Sequence, residues 1–190
     1  MMFKNTLTAV ALGTLLAGCA SQNTHRAAYD PATDARIRVY FGASTHFFFN
    51  TTCEPKKGVL GFGGAGMAVA KPRTLHLANT TIGMPVPEDA YRYYDEYVIK
   101  ANEPLTISIE YGGDSLPDFN GFVFRSPFQH IARTFVPLAG KDYEAFASNA
   151  SNTLQLTVRR LSVVGEHVQM EPVSIKAAPK CQDVSPAPAG

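Results

Sequence analysis

Leu105-Thr106-Ile107-Ser108-Ile109-Glu110-Tyr111 alternates apolar and polar side chains without interruption. Successive side chains of a strand point to opposite faces, so these seven residues read as a strand with one face in a core. The same period recurs on both sides. Ile37, Val39 and Phe41 interleave with Arg36, Arg38 and Tyr40, and Leu154, Leu156 and Val158 with Gln155, Thr157 and Arg159. Shorter candidates are 46–51, 74–77, 122–125, 133–136, 143–147 and 167–175. Turn-forming residues separate them at 100–104, 138–142, 149–152 and 164–166. Short strands punctuated in this way predict an all-β protein, an antiparallel β-sandwich of about seven to nine strands with at most one short helix. The helix signal is Pro87-Glu88-Asp89, which predicts a helical turn at 88–91 followed by a strand from about 93 to 99. Segments 97–107 and 134–144 each read strand, turn, strand, and are expected to be hairpins.

Composition sets the outer limits. The chain has 190 residues, 45% hydrophobic and 17% charged, enough apolar content to build one core. Lys plus Arg number 17 against 16 Asp plus Glu, so no charge excess draws the chain to nucleic acid. No apolar run reaches the roughly 18 residues of a membrane-spanning helix.

The first residues have a different character. Lys4 precedes an apolar stretch, Thr6 to Leu16, which closes with Leu16-Ala17-Gly18-Cys19. That leader resembles the signal peptide and lipobox of bacterial lipoproteins. The resemblance implies cleavage after residue 18, a diacylglycerol on the Cys19 thiol and an acylated new amino terminus. Two or three acyl chains, at about 0.8 kcal/mol per buried methylene, hold a protein stably at a bilayer. Ala20, where inner-membrane retention by the same resemblance calls for Asp, points to the outer membrane with the body facing the periplasm. Lys4 is the only charge lost with the leader, so the mature chain is neutral.

Lipidation of Cys19 leaves Cys53 and Cys181. An even pair in an oxidising compartment reads as a disulfide, expected to tie the chain after its last strand to the edge of an early one. Neither cysteine has a Cys-x-x-Cys partner or a neighbouring His at ligand spacing, so no metal is expected there. The organisation is then a signal peptide at 1–18, a small polar tether at 19–35, a sandwich domain at 36–181 and a disordered tail at 182–190. The strand–Ala139-Gly140-Lys141–strand unit is similar to those of transthyretin-like and immunoglobulin-like envelope lipoproteins.

Catalytic patterns are sparse. Gly61-Phe62-Gly63-Gly64-Ala65-Gly66 has the spacing of a dinucleotide loop, but Pro72 stops the chain where a helix must begin, so it reads as a glycine-rich loop. His25, His46, His76, His130 and His167 have no metal-ligand spacing. Ser44 and His46 lack a nucleophile elbow. Glu88, Asp89, Asp95, Glu96, Asp114 and Asp118 are the candidate acids for glycoside hydrolysis, though polar loops carry such acids routinely. Phe48, between Phe47 and Phe49, belongs either to a second packed face or to an exposed apolar patch, and 112–121 is a candidate recognition loop. No catalytic residue, metal or cofactor is expected. The chain reads as a non-enzymatic structural, adaptor or binding lipoprotein of the envelope, with an envelope protein or glycan as partner. A glycan hydrolase and a small-ligand-binding sandwich are the alternatives; the first needs converging acids, the second a tyrosine-lined pocket.

Overall fold

The computed structural model describes residues 28–56, 66–70, 78–113, 115–117, 123–125, 127–151 and 153–182. They form a β-sandwich of two five-stranded sheets, neither closed on itself, with no helix among the described residues. In chain order the strands are β1 (Asp34–Tyr40), β2 (Ser44–Phe49), β3 (Met67–Ala70), β4 (Tyr94–Lys100), β5 (Leu105–Tyr111), β6 (Ser115–Pro117), β7 (Val123–Arg125), β8 (Gln129–Phe135), β9 (Asp142–Ala150), β10 (Thr153–Val164), β11 (His167–Pro172) and β12 (Lys176–Ala177). The first sheet runs β11-β10-β9-β1-β4 and the second β12-β8-β5-β2-β3; β6 and β7 make a separate ribbon. The sheets hold ten strands, more than the expected seven to nine. Short edge strands such as β12, two residues long, leave too little alternation to be counted in a sequence. One pairing departs from antiparallel, β1 with β9.

The central strand of the second sheet is the alternating segment Leu105–Tyr111, β5, flanked by β2 and β8. Its Leu105, Ile107 and Ile109 meet Ile37, Phe47, Ile99 and Val158 in one core between the sheets. Phe47 stacks edge-on against Tyr97, whose hydroxyl donates to the Val69 carbonyl. Phe48 faces the other way and is 9% exposed. It occupies a second packed face, closed by Gly66: a Cβ there would stand 2.4 Å from the Phe48 ring.

Two expectations are corrected. Segments 97–107 and 134–144 are not hairpins. Each turn carries the chain from one sheet to the other, β4 to β5 and β8 to β9. The two corners brace one another through the Asn102 amide on the Pro137 carbonyl, 2.8 Å. Gly140, at φ 70°, turns the second corner where a Cβ would stand 3.2 Å from the Pro31 carbonyl oxygen. Residues 88–91 do not make a helical turn either. Glu88 and Asp89 form a single tight turn closed by the Ala90 amide on the Pro87 carbonyl, and β4 starts at Tyr94. The side chain of Asp89 is held by Arg159.

The body starts at β1, two residues inside the expected tether, after a turn in which the Asp34 amide bonds the Asp30 carbonyl at 2.7 Å. Cys53 and Cys181, 128 positions apart in sequence, are joined by a disulfide with Cα atoms 5.0 Å apart. Cys53 follows β2 and Cys181 follows β12, so the bond ties the end of the chain to the exit of an early strand. Main-chain bonds from Glu54 to Pro179 (2.8 Å) and from Cys181 to Glu54 (2.9 Å) lie beside it. Closing so long a loop restricts the unfolded chain by about 4–5 kcal/mol at most. Replacing both cysteines by serine is expected to lower unfolding free energy by about 2–5 kcal/mol, read as a lower urea midpoint with unchanged far-UV circular dichroism.

Candidate functional site

The polar residues of β1 do not face water. Arg36, Arg38 and Tyr40 lie on the outer face of the first sheet, beneath the chain from Thr80 to Tyr91. Arg38 is fully buried. Its Nη2 donates to Glu96 Oε1 at 2.6 Å, and its Nη1 lies 3.9 Å from Glu144 Oε2. Tyr40 donates its hydroxyl to Glu144 at 2.6 Å, and Arg159 donates Nε to Glu144 Oε1 at 2.6 Å. Asp89, from the crossing segment, takes the outer side of Arg159 at 2.8 Å. Glu96 accepts the amides of Ile82 (2.7 Å) and Met84 (3.3 Å), and Arg38 donates to the Met84 carbonyl. Strands β4, β1, β9 and β10 thus alternate acid, base, acid, base under a segment pinned to them by its own backbone. Burial and the bond to Glu144 push the Tyr40 hydroxyl far above its usual range, so it stays a donor.

Beside this network the sandwich has an aromatic pocket of about 260 Å³, lined by Tyr40, Tyr91, Tyr111 and Phe146 among others. Tyr40, Tyr91 and Phe146 meet edge to face, with centroids 5.2–6.2 Å apart. Tyr91 is 59% exposed and forms the pocket's outer wall.

A larger groove of about 1030 Å³ adjoins it, sharing Tyr111, Asn149 and Leu154. It follows β8 toward Ala178 and Lys180 after β12, and the turn between β9 and β10 forms its far wall. Glu54 lies at its base, 3% exposed. Ser108 donates to Glu54 Oε1 at 2.9 Å, His130 Nε2 stands 3.0 Å from the same oxygen, and Lys180 Nζ stands 2.7 Å from Oε2. Burial opposes ionisation of Glu54, yet the bonds from Lys180, Ser108 and His130 outweigh it and hold the carboxyl below its ordinary range. Arg133, on the same lining, donates to the Ala132 carbonyl at 3.1 Å and has no carboxylate partner among the described residues.

Serine, histidine and an acid meet here without the geometry of a nucleophilic relay. A relay uses both imidazole nitrogens, one toward the serine and one toward the acid. In this groove Nε2 of His130 faces both Ser108 (3.1 Å) and Glu54 (3.0 Å), and Ser108 gives its proton to the carboxylate. The arrangement keeps an anion ionised under a positively charged rim. Glu54 is also the only acid among the described residues lining the groove, where glycoside hydrolysis needs two.

The sequence-predicted candidates are dispersed. Glu96 and Asp89 belong to the arginine network. Asp95 accepts the Thr80 amide at 2.8 Å. Glu88 and His167 face each other at 3.7 Å in solvent. Of the histidines, only His130 reaches a cavity among those described. Among the described residues no group of three His, Cys, Asp or Glu has the geometry of a metal site. Cys19 with its leader, His25, Gly61–Ala65, His76, Asp114, Asp118 and the tail from 183 lie outside the described residues. The sequence offers no motif for Arg38, Glu54, Arg133, Glu144, Arg159 or Lys180; the one local signal is the pair Arg36 and Arg38 alternating on a single strand.

No family model, curated protein or solved structure matches this chain.

Two measurements probe these charges. Arg38→Met leaves Glu96 and Glu144 buried without their shared cation and is expected to cost about 3–5 kcal/mol in urea unfolding. Because the carboxyl of Glu54 is depressed in the folded chain, its contribution is complete above the ordinary glutamate range and is lost as pH falls through its folded value. Glu54→Gln is therefore expected to flatten the acid limb of a stability–pH curve, measured by urea midpoints from neutrality downward.

Proposed function

We propose that this chain is a lipid-anchored, non-enzymatic binding module of the bacterial envelope, held at the outer membrane through Cys19 and facing the periplasm. Its contact surface is the joined depression formed by the aromatic pocket and the groove. The single observation carrying this reading is that juxtaposition: tyrosine rings on one side, and Arg133, Lys180 and His130 around the ionised, ion-paired Glu54 on the other. Aromatic walls with a few convergent polar groups are the usual make-up of a ligand site. Rings suit the CH-rich face of a sugar. Arg133 offers a guanidinium to an acidic substituent, and Asn149 and Gln129 offer amides to hydroxyls. The ligand is accordingly an acid-bearing glycan of the envelope. The Leu16-Ala17-Gly18-Cys19 motif supports the anchor, and the Cys53–Cys181 bond is in keeping with an oxidising compartment.

One observation favours a second reading, glycan hydrolysis: an acid and a histidine 76 residues apart do converge in the groove. The two readings separate in one experiment. Detergent-extracted full-length protein is incubated with purified peptidoglycan sacculi and sedimented. Binding without release of soluble fragments is expected, with Tyr91→Ala and Arg133→Ala each weakening it about tenfold, the equivalent of 1.4 kcal/mol. Fragment release abolished by Glu54→Gln would establish the hydrolase instead. Intact-mass spectrometry of the same preparation is expected to show a chain starting at Cys19 and carrying acyl groups; an unacylated chain would overturn the anchor.

A further inference from the structure

The first sheet ends at β11, whose outer edge is unpaired among the described residues. Four observations bear on what that edge fits. Gly165 and Glu166 form a two-residue turn between the facing pair Val164 and His167. In such a hairpin the closing pair exchanges both main-chain bonds, and every second pair does so thereafter. His167, Gln169 and Glu171 thus direct their backbone groups at β10, a phase continued by the Val173 amide on the Val158 carbonyl at 2.9 Å. Val168 and Met170 direct theirs outward. Pro172 also falls in the outward phase, where it has no N–H to offer and sets the limit of the free edge.

The side chains divide in the same way. Val168 and Met170 share a face with Val163 and Leu161 across the hairpin, and Val163 and Met170 are 63% and 38% exposed. His167 and Glu171 share the other face, with side chains 80% and 56% exposed. Glu171 already holds Arg160 on one side, and Glu88 is the acid facing His167 within the chain.

We infer that β11 pairs antiparallel with β11 of a second copy of this chain, about a two-fold axis through Gln169. That register joins Val168 of each copy to Met170 of the other through main-chain bonds in both directions. It sets His167 directly opposite Glu171 of the second copy, so that the polar face reads Arg160, Glu171, His167 across the seam. It also joins the Val163–Met170 stripes into one apolar band and keeps Pro172 out of the ladder. Sliding the axis to Val168 or to Met170 sets His167 or Glu171 against Gln169 and loses the charge match; the Met170 axis also brings Pro172 opposite Val168. An edge strand is a template for strand addition, and here its charges complement themselves in one register alone.

A cysteine scan of full-length protein tests the register. In the proposed ladder Gln169 alone faces its own copy, in a non-bonded pair with Cα atoms about 4.5 Å apart, within disulfide reach. Gln169→Cys is expected to give an oxidised dimer in at least about tenfold higher yield than His167→Cys, Val168→Cys, Met170→Cys or Glu171→Cys, whose self-distances are too long. Peptide mapping checks that Cys53–Cys181 stays intact in each. In the Gln169→Cys background, His167→Glu is expected to reduce the yield by placing two acids together, and His167→Lys to preserve it. A maximum at Val168 or Met170, an equal yield at all five positions, or a folded Gln169→Cys protein that stays monomeric would overturn the inference. Capture of a different protein at Gln169→Cys would overturn it too, in favour of strand addition by another partner.

Discussion

Arg38 is a guanidinium with no access to water, and the first sheet is arranged around it. A buried cation costs several kcal/mol in desolvation unless carboxylates and hydrogen bonds surround it. Glu96 and Glu144 supply the carboxylates from the strands on either side, and the Met84 carbonyl closes the top. The consequence is positional. For Glu96 to meet Arg38, β4 must pair with β1 in the observed register; for Glu144 to do so, β9 must run parallel to β1 in its own. A slip of one residue in either pairing would turn the acid into the apolar core and strand the cation. The network therefore selects one register at a cost that a plain apolar face would not carry.

The same acids fix the crossing segment, and through it the pocket. Glu96 Oε2 gathers the amides of Ile82 and Met84, Arg36 donates to the carbonyls of Ile82 and Gly83, and Asp89 ends the span on Arg159. Two residues beyond Asp89 stands Tyr91, the outer wall of the aromatic pocket, while Tyr40 forms its floor with its hydroxyl on Glu144. Network and pocket are thus one structure, and the ring geometry is set by charge pairing several ångströms below it. On the second sheet the disulfide has a comparable effect. It brackets Glu54 between the exit of β2 and the segment after β12, so that Lys180 from that segment and His130 from β8 reach the same carboxylate.

The alternation in 105–111 made the sandwich legible, and most of the long strands with it, because period two is a local property of the chain. What the pattern could not carry was the identity of the cover. Arg36, Arg38 and Tyr40 alternate as a wet face does, and only the passage of residues 80–91 overhead makes them interior. The two mistaken hairpins have the same origin. A turn such as 138–142 is compatible with a return to the same sheet or a crossing to the other, and the crossing is braced by Asn102 bonding Pro137, a contact between distant parts of the chain. The groove was out of reach for a related reason: Glu54, Ser108, His130 and Lys180 are each unremarkable in sequence and become a site only when β2, β5, β8 and the chain end converge.

The two buried acid clusters also differ in what they leave over, and this decides which one can meet a ligand. Around Arg38 the acids Glu96, Glu144 and Asp89 outnumber the bases Arg38 and Arg159, and the exposed partner is the acid Asp89, so the cluster has little to offer an anion from solvent. Around Glu54 the balance is reversed. One buried acid is shared by Lys180 and His130, with Arg133 on the same lining, and the exposed partner is Lys180, whose side chain is 55% exposed. Fields from such groups are focused where low-dielectric walls narrow the path of solvent. Leu154 and Ile131 supply apolar lining beside these groups in the groove, whereas Asp89 stands more than half exposed on the surface. The groove thus sets Arg133 and Lys180 next to the tyrosines of the adjoining pocket, and the proposed acid-bearing glycan, lying across both, would meet rings and charge in a single passage.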